Sequence, residues 1–257
     1  MRAQQPVGTV TRGTTHPNRL RRIDRWVLAR HGQVLRRAPD PLVVDLGFGT
    51  RPTTTLELAD RLRRVNPAVR VVGVEIDPAR VAQAASLHAP GVTFVLGGFE
   101  IPVGGPVLLV RAANVLRQYD PQEVGAAWQR MRSALAPAGM VVDATTDELG
   151  RLCSWVTLDG TGPRWFTVSI DVRRMSRPSE VAARLPKALI HRNVPGEPVH
   201  ELLTCLDQGW QRQAAVAPSD PGTDSPRRSR HSQTTAGQSA ARPHGGGWGS
   251  SPSIGRR

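Results

Sequence analysis

Val43-Val44-Asp45-Leu46-Gly47-Phe48-Gly49, followed after a helix-length gap by Val71-Val72-Gly73-Val74-Glu75-Ile76-Asp77-Pro78, decides the fold of this chain. The first run reads as a short buried strand ending in a glycine turn, where the missing Cβ lets the backbone approach a ligand closely. The second reads as another buried strand, ending in an acid. An acid at that strand end is placed to accept both hydroxyls of a ribose, as in nucleotide-binding α/β folds.

The surrounding sequence alternates helix and strand signals. Upstream, Leu20, Ile23 and Val27 recur at helical spacing, predicting an amphipathic helix that begins near Asn18. Leu58, Ala59, Leu62 and Val65 mark a crossover helix that stops at Asn66-Pro67. Asp77-Pro78 supplies a cap acid and a first-turn proline for the next helix, so Asp77 is read as a cap and Glu75 as the ribose candidate. Third and fourth strands are expected at Val92 to Leu96 and Val107 to Val110. Asp120-Pro121-Gln122-Glu123 opens a further helix whose apolar face carries Val124, Trp128, Met131 and Leu135. That spacing makes Trp128 a core residue. After a turn at Ala136 to Gly139, a fifth strand begins at Met140, and Ser154 to Leu158 with Trp165 to Ile170 reads as an antiparallel hairpin. Ser179 to Trp210 reads as two short helices parted near Asn193 to Pro198.

At these residues the chain resembles the class I S-adenosylmethionine-dependent methyltransferases. Their pattern is acid-x-Gly-x-Gly-x-Gly after the first strand, with an acid at the end of the second. Asp45, Gly47, Gly49 and Glu75 match it, while Arg51 occupies the third glycine's place, either narrowing the cofactor site or contacting the ligand. The likeness runs from Pro41 to Ala144 and implies a Rossmann-like, doubly wound, mostly parallel sheet. It also implies S-adenosylmethionine as cofactor, bound by Asp45, Gly47, Gly49 and Glu75, with Glu100 and Asn114 as further contacts. Family members place an acid near Gly98 to hold the adenine amino group. Here Glu100 or a backbone carbonyl would substitute, with Phe99 or Ile101 against the adenine face. Helices before the first strand often cover the cofactor in this family, which makes Asn18 and Arg19 possible contacts. The usual helix between fifth and sixth strands looks short or missing.

Methyl transfer from a sulfonium is an in-line displacement, and the protein mainly has to hold donor and acceptor together. No catalytic residue is therefore assigned. Neither an Asn/Asp-Pro-Pro-aromatic signature nor a Pro-Cys nucleophile is present, which disfavours amino-group methylation of bases or glutamine and cytosine-ring methylation. The strand ends face the segment Asn114 to Tyr119, so the acceptor is expected to enter between it and the N-terminal helix, with Asn114, Arg117 and Tyr119 as polar candidates. A small molecule is favoured. RNA is the rival, through Arg19, Arg21, Arg22, Arg36 and Arg37. Two other readings stay open: a dinucleotide-dependent oxidoreductase, whose glycine pattern would require glycine where Pro52 stands, and a non-catalytic domain that kept the fold and binds nucleic acid or a nucleotide.

Composition bounds these readings. The 257 residues carry a formal charge of +13, of which +5 falls after Trp210, and lysine occurs only at Lys187. We expect a methyltransferase-like domain over residues 1–210, comprising an N-terminal helical cap (1–38), a core sheet (39–175) and C-terminal helices (176–210). The Gly-, Ser-, Pro- and Arg-rich residues 211–257 are expected to be disordered, having too few apolar groups to offset chain entropy. Two distant cysteines, no apolar leader and no bilayer-length run point to a reducing, cytoplasmic setting, and the seven histidines show no metal-ligand spacing. Oligomeric state is not legible.

Overall fold

The computed structural model describes residues 6–216. Seven strands form one sheet in the order β3-β2-β1-β4-β5-β6-β7. β1 (Leu42–Leu46) lies parallel to β2 (Arg70–Glu75) and to β4 (Val107–Ala113), and β3 (Val92–Leu96) extends the parallel set beyond β2. Chain direction across the sheet reverses between β1 and β4. The carboxyl ends of those two strands therefore border a crevice, which is where open α/β sheets bind ligands.

The helices follow from local chemistry. α1 (Arg21–Arg37) buries Ile23, Val27 and Leu35 against the sheet face that also receives α2 (Thr53–Arg63). α3 (Pro78–Ala85) is capped by Asp77, whose carboxylate accepts the Ala79 N–H at 2.8 Å. α4 (Pro121–Ser133) opens on a complete capping box: Asp120 accepts from the Gln122 N–H, and Glu123 accepts from the Asp120 N–H. Its apolar stripe, Val124, Trp128 and Met131, joins the opposite core layer with Val44, Val110 and Val141.

The fifth strand begins earlier than its apolar run indicates. β5 spans Leu135–Thr146, so the expected turn at Ala136 to Gly139 is instead a bulge inside the strand, between the Val107–Leu135 and Leu109–Met140 pairings. β5 reaches β6 (Leu152–Asp159) through five residues, Asp147 to Arg151. So short a link has no room for a crossover helix and forces an antiparallel pairing. β7 (Gly162–Ile170) then pairs antiparallel to β6 across the expected turn, where Asp159 accepts the Thr161 and Gly162 N–H groups.

The C-terminal part packs as a 3-10 turn Pro178–Arg184, a short α5 (Lys187–Ile190) and α6 (Pro198–Val216). The expected boundary at Trp210 thus falls inside a helix, which runs on to Val216. The rest of the expected tail lies outside the described residues. No helix among the described residues is long and apolar enough to cross a membrane, and no group of three or more His, Cys, Asp or Glu gathers there.

Candidate functional site

The crevice at the ends of β1, β2 and β4 collects most of the residues singled out by the sequence. It divides into a cavity of about 500 Å3 beside Asp45 to Gly49, Asn114, Arg117 and Thr146, and a cleft of about 20 Å3 beside Glu75, Ile76, Gly98 and Phe99. The partition between them is the chain's own N-terminal segment. Val7, Gly8, Thr9 and Thr11 line the small cleft, and Thr11 to Thr15 line the large one.

That segment is held by hydrogen bonds at Val7, Thr9, Thr11 and Gly13. Val7 N–H donates to Glu100 Oε2 at 2.8 Å, and the Val7 carbonyl accepts the Phe99 N–H at 2.9 Å. Thr9 N–H donates to the Tyr119 hydroxyl at 2.6 Å. Arg80 donates to the Thr11 carbonyl, and Thr50 donates both N–H and hydroxyl to the Gly13 carbonyl. Gly98, where the resemblance calls for an acid, is glycine for a steric reason: a Cβ there would lie 2.0 Å from the Val7 carbonyl oxygen. Gly49 is likewise constrained, with φ of +80° and a notional Cβ 2.6 Å from the Gly13 carbonyl oxygen.

Each polar residue expected to meet the cofactor already has internal partners. Glu75 is 1% exposed; Oε2 accepts the Gly49 N–H at 2.8 Å and Oε1 accepts the Ile76 N–H at 3.0 Å, with Arg80 3.7 Å away. Glu100 divides its oxygens between Val7 N–H and Gly98 N–H. Asn114, in a left-handed conformation with φ of 60°, accepts the Thr146 N–H and so ties β4 to β5 at the mouth of the cavity. Gly47 turns with φ of 71° and donates its N–H to the Val74 carbonyl.

Asp45 belongs to a buried ionic network that the sequence did not reveal. Arg111, on β4 and completely enclosed, donates to both Asp45 oxygens at 2.8 Å, to Asp24 of α1 at 2.5 Å and to the Thr54 carbonyl. Thr55 adds a 2.6 Å bond to Asp45, and Arg61 a second ion pair to Asp24. Burial opposes the charge on Arg111, but Asp24 and Asp45 outweigh it and raise the guanidinium's pKa. Spacing alone could not show this, because the three partners lie far apart in sequence and Arg111 reads as a loop residue just past an apolar strand.

The other candidates separate. Phe99 packs edge-on against Tyr119, with centroids 5.1 Å apart, and Ile101 joins the core. Asn18 accepts from Arg61 outside the crevice, whereas Arg19 is buried and donates to Thr146 and to the carbonyls of Asp147 and Thr14. Arg19 is thus absent from the outer surface on which the arginine patch was expected. Arg51 is exposed and lines neither space.

No family model and no curated protein matches the chain. Among solved structures it is similar to methyltransferases. One is the magnesium protoporphyrin IX methyltransferase of Synechocystis PCC 6803 with bound SAH, at 20% identity and a TM-score of 0.38, over 49% of this chain and 54% of that one. A second is the CMeT domain of the citrinin polyketide synthase, at 17% identity and a TM-score of 0.40, over 50% of this chain and 36% of that one. A third is the sugar N-methyltransferase KedS8 of Streptoalloteichus sp ATCC 53650, at 16% identity and a TM-score of 0.36, over 67% of this chain and 86% of that one.

Proposed function

We propose that this chain is an S-adenosylmethionine-dependent methyltransferase acting on a small molecule that enters the 500 Å3 cavity between the N-terminal helix and Asn114 to Tyr119. The observation that carries the reading is the switch-point crevice with Glu75 fixed at the end of β2 behind the Gly47–Gly49 turn. Glu75, Gly47 and the apolar Ile76, Phe99 and Val115 suit a ribose and a base in chemistry. In volume they do not: about 20 Å3 beside them cannot hold a nucleoside while Val7 to Thr11 is in place. Binding therefore requires that segment to withdraw.

S-adenosylmethionine supplies an activated methyl carbon when bound. What this chain's residues contribute is enclosure and orientation. Among the described residues the cavity lining holds no histidine, lysine or glutamate, and its one carboxylate there, Asp45, is engaged by Arg111 and Thr55. An acceptor there meets no side chain suited to general base work, so catalysis would rest on proximity.

Titration calorimetry of the full chain with S-adenosylmethionine, S-adenosylhomocysteine and NAD tests the proposal. We expect the first two to bind, NAD to fail, and Glu75→Ala to cost about 1.5–3 kcal/mol of S-adenosylmethionine affinity. Absence of binding by either nucleoside would favour the second reading, a non-catalytic domain. That reading draws on the same internal saturation of Glu75, Glu100, Asp45 and Asn114.

A further inference from the structure

Arg117 and Arg184 share a wall of the large cavity, and no described residue gives them a counter-charge. Arg117 stands on the helical turn Leu116–Gln118 after β4, half-buried, with its Nη1 enclosed and lacking any hydrogen-bond partner. Arg184 ends the 3-10 turn Pro178–Arg184 and lines the same cavity. Two elements far apart in sequence thus deliver two guanidinium groups to one space. Burial lowers the pKa of Arg117, and the neighbouring charge of Arg184 lowers it further.

Among the described residues, no carboxylate pairs with either of them. Asp45, the lining carboxylate, is engaged by Arg111 and Thr55. Asp147 and Glu148 act on Arg19, and Asp147 Oδ1 is taken by the N–H groups of Arg151 and Leu152. Arg19 itself adds positive charge to the lining, and Arg12 stands exposed at the rim. A half-buried guanidinium without a partner is costly, whereas one that meets a carboxylate or phosphate gains short, bidentate, charge-assisted bonds.

We propose that Arg117 and Arg184 form an anion-binding site that grips a carboxylate or phosphate group on the small molecule entering the cavity. Neither arginine lines the cleft beside Glu75 and Phe99, which is where a nucleoside would lie, so the anion is assigned to the acceptor. That assignment rests on the methyltransferase reading; the anion site itself rests on the cavity alone.

Calorimetric titration of inorganic phosphate into the full chain at fixed low ionic strength tests the site. Arg117→Gln and Arg184→Gln should each weaken binding by about tenfold or more, Arg117→Lys by less, and Arg30→Gln on the exposed side of α1 should leave it unchanged. Thermal unfolding of each unliganded variant checks that the fold persists. Equal weakening by Arg30→Gln, or no weakening by either cavity variant, overturns the site. Repeating the titration in saturating S-adenosylhomocysteine assigns the anion. Retained phosphate affinity supports an anionic acceptor, whereas competition assigns the arginine pair to the cofactor's own carboxylate and overturns that part. If S-adenosylhomocysteine does not bind while phosphate binding still depends on Arg117 and Arg184, the methyltransferase reading falls and the anion site stands.

Discussion

At the scale of single residues, the buried acids Asp143 and Asp45 show how one side-chain type takes opposite roles. Asp143 on β5 is enclosed and receives the Trp128 indole N–H at 2.9 Å, with no cation beside it. Burial pushes its pKa up to about 7 against that single bond. The unfolded reference is near 4, so between about pH 4 and 7 the folded chain retains a proton that the unfolded chain releases, and stability falls as pH rises through that window. Asp143→Asn carries no such charge. We expect it to be matched with the wild type near pH 4 and progressively more stable towards pH 8, by an amount on the order of 2–4 kcal/mol, measured by urea unfolding. Parallel pH profiles would refute the assignment. Asp45, by contrast, faces a cation, the Arg111 guanidinium, which donates to both of its oxygens. Arg111→Met would leave Asp45 without its cation in the interior and Asp24 with Arg61 alone, and should cost about 3–5 kcal/mol in the same measurement. A loss under about 1 kcal/mol would mean that the network is dispensable. Glu75 and the glycine turn were legible because strand ends and missing Cβ atoms leave a mark in sequence. The Arg111 network was not, because a buried ion pair depends on residues 66 and 87 positions apart.

At the scale of elements, strands and capped helices emerged where expected, since apolar runs and cap residues are local signals: β3 matches its expected bounds, and the Asp120–Glu123 box forms as read. The N-terminal segment left no such trace. On the segment's side the hold on the crevice passes through backbone groups, which any sequence carries; Arg80 and Thr50 meet it at Thr11 and Gly13, and at Val7 and Thr9 the facing side chains are Glu100 and Tyr119. Those two give the means to loosen it. Tyr119→Phe removes the acceptor of the Thr9 N–H, a bond worth about 0.5–1.5 kcal/mol net. Hydrogen exchange at Thr9 should quicken, and S-adenosylhomocysteine should bind about 2- to 10-fold more tightly, because less of its binding energy goes into opening the crevice. Faster exchange with unchanged affinity would show that the segment and the nucleoside do not compete.

At the scale of the whole molecule, a mostly parallel, doubly wound sheet and its β6-β7 hairpin were legible from alternating signals and a turn, whereas the antiparallel pairing of β5 with β6 depends on one five-residue link. Charge is the other global property, and the fold redistributes it. Of the five arginines expected to form a phosphate-binding face, Arg19 turns into the cavity and Arg22 reaches the Ile170 carbonyl and Asp171. Arg21 lies at one end of α1, Arg36 and Arg37 at the other, separated by a helix on the order of 25 Å long. So dispersed a set does not make a compact RNA site on the domain. The residues after Val216 carry six arginines against two aspartates, +4 of the formal +13. A chain ending at Val216 should therefore bind a single-stranded RNA more weakly than the full chain, read by fluorescence anisotropy at 50 and 200 mM salt. Its salt slope should flatten in proportion to the phosphate contacts removed, about 0.7 per contact on logarithmic axes. Tight, steeply salt-dependent binding by the shortened chain would place an RNA site on the domain itself and displace the small acceptor as the preferred substrate.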